Sequence, residues 1–258
     1  MAESGNVPRV PIGISNFDKM ITGGIPKGFN VMVAGSPGSG KSIFCQKYLY
    51  TGAKNGESGL YISLDETREN ILRQALQFSW DFEKLEKENL LLIKRMKLSN
   101  IDETIKDIEK LASKINAKRI VIDSISTLFE LTAMYQEVYQ NIYDNKPTAP
   151  FSSSQSRTGS IKKSIYSILD KLKELNATVL TTSEAVIGSD SISRDGISEF
   201  VCDGIIHLNR VSMGQTVTRT IEVKKMRQTN VDGGVHFFTF GKSGITVTDS
   251  YADSKVIF

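Results

Sequence analysis

Eight consecutive residues carry the clearest chemistry in this sequence: Gly35, Ser36, Pro37, Gly38, Ser39, Gly40, Lys41 and Ser42. Glycines spaced in this way let backbone N–H groups approach an anion with no Cβ in the way. Lys41 adds a compact positive charge that reaches terminal phosphates, and the Ser42 hydroxyl suits the magnesium ion that accompanies a polyphosphate. The setting fits. Phe29 to Ala34 is apolar and β-branched, and Ile43, Phe44, Cys45, Tyr48 and Leu49 recur at helical spacing, so the run joins a strand to a helix whose free N–H groups attract anions. A chance Gly/Ser turn before a helix is the bland alternative. The expected ligand is a nucleoside triphosphate, ATP ahead of GTP, lying along the loop as far as Ile43.

Acidic residues supply the second half of such a site. Asp123 ends the apolar run Arg119-Ile120-Val121-Ile122, which places a carboxylate at a strand terminus where it can hold magnesium through a water. It can equally cap a following helix, and the two roles are compatible. Asp65 and Glu66 follow another apolar strand, Gly59 to Leu64. Hydrolysis needs a group that orients or deprotonates the attacking water, and Glu66 is the first choice, with Asp65 beside it. The competing role is a cap for the helix that begins near Thr67. The strand before this pair is expected to neighbour the strand before the phosphate loop.

The elements that position these residues alternate. After the loop helix come a strand at Gly59 to Leu64, a helix from Thr67 to Phe78 with Ile71, Leu72, Ala75 and Leu76 on one face, and a strand at Leu90 to Lys94. An amphipathic helix follows, marked by Ile101, Ile105, Ile108, Leu111 and Ile115 and capped by Ser99 or Asn100. The strand ending at Asp123, a helix lined by Ile161, Ile165, Ile168, Leu169, Leu172 and Leu175, and a strand at Thr178 to Thr182 complete the pattern. Alternation of this kind predicts a mainly parallel, twisted α/β sheet with helices on both faces. After Phe200 only short β segments remain, at Gly204 to Leu208, Thr218 to Val223, Val235 to Phe240 and Ile245 to Val247. These predict an antiparallel extension of the same sheet.

The 258 residues read as a single domain, residues 1–258, with a polar, proline-bearing mobile loop at about 144–160. No run is apolar enough to span a bilayer, and the N-terminal residues lack a secretory pattern, so the expectation is a cytoplasmic protein without a membrane. Cys45 and Cys202 match no metal or redox spacing and are expected to be buried. With 32 basic against 29 acidic residues, net charge gives no argument for nucleic acid.

Gly23-Gly24-Ile25-Pro26-Lys27-Gly28, the phosphate loop, Ser63-Leu64-Asp65-Glu66-Thr67 and Lys225-Met226-Arg227 together, in this order, resemble the KaiC-like branch of the RecA superfamily. The resemblance runs from about Ile12 to Val247. It implies a RecA-like P-loop ATPase that uses ATP and magnesium and assembles with itself into rings, commonly hexamers, with ATP between subunits. It also implies that Lys225 and Arg227 reach the γ-phosphate held by the adjacent subunit, neutralising charge as the phosphoryl group leaves; Arg219, in the same hairpin, is a further candidate for that role in trans. Two departures stand out. Asp65-Glu66 stands where the family usually has two glutamates, and Gln228-Thr229-Asn230-Val231 stands where it tends to have Gly-Thr-x-His.

The function expected is slow ATP hydrolysis that changes ring shape and affinity for a protein partner the sequence does not name. An ATP-dependent scaffold without turnover is one rival. A DNA-stimulated recombinase or helicase is another, less favoured: Lys146, Arg157, Lys162 and Lys163 could line a pore, but Phe151 is the one aromatic in that loop. Autophosphorylation is a further option, suggested only by the serines at 152 to 154. Ser183-Glu184 sits where the superfamily often senses the γ-phosphate, and strand-end capping explains the pair equally well. His207 and His236 are expected to be structural, and Trp80 to pack beside Phe78 and Phe82.

Overall fold

The computed structural model describes residues 7–96, 101–128, 166–185, 192–193, 195–213 and 216–248. The proposed loop at 144–160, the basic residues Lys146, Arg157, Lys162 and Lys163, the serines at 152 to 154 and the caps Ser99 and Asn100 lie outside these residues. Two short strands, β1 (Arg9–Val10) and β2 (Ile25–Pro26), pair antiparallel. The main sheet has nine strands: β3 (Asn30–Gly35), β4 (Gly59–Ser63), β5 (Leu91–Arg95), β6 (Arg119–Asp123), β7 (Thr178–Glu184), β8 (Gly204–Met213), β9 (Thr216–Met226), β10 (His236–Gly241) and β11 (Gly244–Thr248).

Their order is β11-β10-β9-β8-β3-β7-β6-β4-β5. From β8 to β5 all neighbours are parallel, and β8 to β11 form an antiparallel meander. The expected architecture is therefore present, with one correction: β4 does not neighbour β3. Strands β7 and β6 stand between them. Chain order suggested adjacency, but each parallel step needs a crossover, and crossovers can skip positions that later strands fill.

Alternation along β3 shows how the sheet is covered. Val31 and Val33 pack to one face with Phe44, Tyr48 and Leu49 of α2 (Lys41–Lys54), Ile71 and Ala75 of α3 (Arg68–Leu76), and Phe82 and Leu85 of α4 (Phe82–Lys87). Met32 and Ala34 pack to the other with Ile105 and Ile108 of α5 (Ile101–Lys114) and with Ile168, Leu169 and Leu172 of the helical residues 166–174. A strand buried on both faces reads as a continuous apolar run, which β3 does. Leu76 departs from its expected place. It lies at the last position of α3 and is 64% exposed, while Ile71 and Ala75 carry the packing.

Trp80 stacks on Phe78 and Tyr50, with ring centroids 4.9 and 5.7 Å away. Cys45 and Cys202 are buried and free. Arg119 is fully buried at the start of β6, bonded to Glu57 at 2.6 Å and to the carbonyls of Pro11 and Tyr48. It ties the N-terminal segment, α2 and the sheet together at the end remote from the phosphate loop. Among the described residues no helix is long and apolar enough to cross a membrane.

Candidate active site

Parallel strands β3, β7, β6 and β4 all end at one edge of the sheet, and the chemistry-bearing residues collect there. At the end of β3, Gly35 lies so close to β8 that a Cβ would collide with the Leu208 carbonyl, which explains glycine at the loop's first position. Gly38 and Gly40 have φ of 73° and 107°, the left-handed region that glycine adopts without a Cβ penalty. Gly40 is the N-cap of α2, and a Cβ there would lie 2.5 Å from the Phe240 ring.

Lys41 donates to the carbonyls of Gly35 at 2.8 Å and Ser36 at 3.2 Å, so its ammonium lies across the mouth of the loop. Burial lowers its pKa, while the carboxylates of Glu184 and Asp123 hold the charge in place. The Ser39 hydroxyl is enclosed with no hydrogen-bond partner. Left-handed glycines at the start of a helix, a lysine over loop carbonyls and an unpartnered hydroxyl are features that a polyphosphate would fit. Among the described residues no three acidic, histidine or cysteine side chains converge as a metal cage. A magnesium ion fits this site only as it usually does with nucleotides, through Ser42, Asp123 by way of water, and the phosphates.

Asp123 is held from two sides. Its Oδ2 accepts from the Tyr61 hydroxyl at 2.6 Å, and its Oδ1 accepts from the Thr182 hydroxyl. Strands β4 and β7 thus aim the carboxylate of β6 between them. Sequence reasoning missed both partners, because a tyrosine or threonine inside an apolar strand reads as core.

Asp65 and Glu66 have separate surroundings. Asp65 accepts from the Thr127 hydroxyl at 2.9 and 3.1 Å and from Ser124 at 3.4 Å, which ties it to the turn after Asp123. Among the described residues the Glu66 carboxylate has no hydrogen-bond partner. Its backbone is fixed instead by Ser63, whose hydroxyl accepts from Glu66 N at 2.9 Å and donates to Glu66 O at 2.8 Å. Helix α3 is capped by Thr67 Oγ1, which accepts from Asn70 N at 3.3 Å. Neither acidic residue serves as that cap. Burial, then the charges of Asp123 and Asp65, raise the Glu66 pKa.

Behind this group, the Ser183 hydroxyl lies 3.2 Å from that of Ser126, which also accepts from the Glu184 backbone N–H at 3.1 Å. Ser183 is thus committed to the interior, and Glu184 is the residue that faces Lys41 electrostatically. His207 is half-buried and its pKa is lowered by burial.

Lys225, Arg227 and Arg219 do not cluster. Lys225 pairs with Ile205 and Arg219 with Arg210 across β8 and β9, so they stand at opposite ends of the hairpin, about 17 Å apart along the strand. Lys225 and Arg227 lie where β3 begins, remote from their own phosphate loop. There Lys225 Nζ donates to the carbonyls of Glu199 and Phe200, both at 3.3 Å, and Arg227 pairs with Asp203 at 2.9 Å. Arg219 is at the other end, its guanidinium 4.9 Å from the centroid of Phe240, the ring that abuts Gly40. It therefore stands beside its own chain's loop, apart from Lys225 and Arg227 within this chain.

Comparison with known proteins gives a consistent result. A family model described as "ATPase: KaiC" matches residues 10–143 and 147–252. A circadian clock oscillator protein KaiC from Prochlorococcus marinus (strain MED4) is 32% identical over 93% of this chain and 45% of its own length. One from Parasynechococcus marenigrum is 29% identical, again over 93% and 45%. The chain thus spans a little under half the length of these relatives. A solved KaiC-like protein from the hyperthermophilic archaeon Pyrococcus horikoshii superposes with a TM-score of 0.77 at 32% identity, covering 94% of this chain and 99% of that one.

Proposed function

The chain belongs to the KaiC ATPase family, and from that premise and the site's geometry we propose that it binds ATP with magnesium and hydrolyses it slowly, as a self-assembled ring. The observation that carries this reading is the convergence of Lys41, Asp123 and an unbonded Glu66 at one sheet edge. In this reading Gly35 to Ile43 hold the phosphates, and Lys41 leaves the Gly35 and Ser36 carbonyls to meet them. Glu66 accepts a proton from the attacking water, and Asp65 fixes the turn beyond Asp123 instead of taking part directly. Ser42 and, through a water, Asp123 would hold the magnesium ion, which would supply charge neutralisation at the phosphates.

Lys225 and Arg227 lie at the far end of β9 from their own site, which supports the family's pattern in which they act on a nucleotide bound by a neighbouring subunit of a hexamer. The ring's nucleotide state would then set its affinity for a protein partner, with the whole chain acting as one unit in the cytoplasm. Because both residues are bonded within their own chain, assembly without appreciable turnover is the second reading.

Magnesium-ATP binding and turnover of wild type, Lys41→Ala and Glu66→Gln test the proposal. Lys41→Ala should lose binding. Glu66→Gln should keep binding and lose turnover by about 100-fold or more. Equal turnover in all three would overturn the catalytic assignment, and tight binding without turnover in wild type would favour the scaffold.

A further inference from the structure

Arg210 and Arg219 stand directly across from one another on β8 and β9. Like charges at facing positions of an antiparallel pair are destabilising. Among the described residues neither guanidinium has an acidic partner. Arg219 is half-buried against Phe240, and its Nε is enclosed with no hydrogen-bond partner. Burial and the charge of Arg210 both lower its pKa.

Such a pair is more than a solvated charge on a hairpin because of its location. Arg210 Nη1 lies 3.9 Å from where a Cβ on Gly38 would stand, so one guanidinium borders the middle of the phosphate loop. The other covers the ring that abuts Gly40. Two cations without acidic partners among the described residues, Arg210 exposed and Arg219 half-buried, thus stand on adjacent strands beside Gly38 and, across Phe240, Gly40 of the phosphate loop. An anion on the loop would relieve their repulsion.

We propose that Arg210 is a further nucleotide-binding residue acting in cis: with Arg219 it closes over the polyphosphate seated on Gly35–Ser42, and the β8–β9 hairpin thereby joins the chain's own phosphate site. This rests on the nucleotide reading of the loop. It assigns the two ends of one hairpin to different nucleotides, Arg210 and Arg219 to the chain's own and Lys225 and Arg227 to a neighbour's.

The test is calorimetric titration of wild type, Arg210→Gln and Lys41→Ala with magnesium-ATP and with inorganic tripolyphosphate, at low and high salt, beside melting curves without ligand. Arg210→Gln should bind both ligands roughly tenfold more weakly at low salt, as loss of a charge-assisted hydrogen bond predicts. The deficit should narrow at high salt. Without ligand the variant should melt at the wild-type temperature or above it, because a repulsive pair has been removed. Affinities within about twofold of wild type for both ligands would overturn the proposal. So would a deficit for ATP alone, which would move Arg210 to the base, or a lower melting temperature, which would make its role structural. Failure of wild type to bind ATP in a Lys41-dependent way would remove the nucleotide reading itself, and this proposal with it.

Discussion

Glu66 is the residue whose environment makes the sharpest prediction. A general base acts only when ionised, and burial together with Asp123 and Asp65 disfavours its charged form, raising its pKa above the usual 4.5. Turnover should therefore fall with decreasing pH along an acid limb that lies above the ordinary glutamate range. Asp65→Asn removes one of the neighbouring negative charges, so Glu66 should ionise at lower pH and the limb of kcat/KM should move in that direction. An unmoved limb in Asp65→Asn would mean that another group titrates. The place of Glu66 just after β4 was legible in the sequence because an acidic pair directly after an apolar strand has few places to go. The different roles of its two members were not: Asp65 is defined by Thr127 and Ser124, some sixty positions away along the chain. Tyr61 and Thr182 were hidden for the same reason, since each looks like strand filler until β4, β6 and β7 are set side by side.

At the scale of elements, Gly40 on Phe240 is a close contact between the loop helix and the antiparallel meander. Gly40→Ala places a side chain at φ 107° and drives its Cβ into the ring. The strain and displacement should cost about 1–3 kcal/mol of stability, read from urea unfolding, and should also weaken nucleotide binding by tilting the N-terminus of α2. Adding Phe240→Leu to Gly40→Ala relieves the collision but not the backbone strain, so the double variant should recover part of the stability. Additive losses would show that the contact is not what couples the two elements. The meander was legible as short β segments separated by turns, and β3 to α2 as strand, loop and helix. Which meander residue would touch the loop was not, because β8 reaches β3 only after the whole parallel sheet has been laid down. The same non-local order explains why chain order alone suggests β4 beside β3.

For the whole molecule, the separation along β9 gives the proposed ring a testable consequence. Lys225 and Arg227 are at the end of the sheet where β3 starts, while the phosphate loop is where β3 ends. A site completed in trans has a consequence that no single-subunit enzyme shows, namely complementation between two defective proteins. Lys41→Ala should be inactive because it holds no nucleotide, and Arg227→Ala because it offers no cation to its neighbour. Mixed in equal amounts under conditions that exchange subunits, they should regain about one quarter of wild-type turnover, the share of interfaces at which an intact loop meets an intact arginine in a randomly filled ring. Arg227→Ala first has to give up its pairing with Asp203, an exposed charge pair of little net worth, so its fold should be retained. If Arg227→Ala alone kept full turnover, or if mixed rings formed and stayed inactive, the arginine would have no role across the interface, and Asp203 would be its only partner.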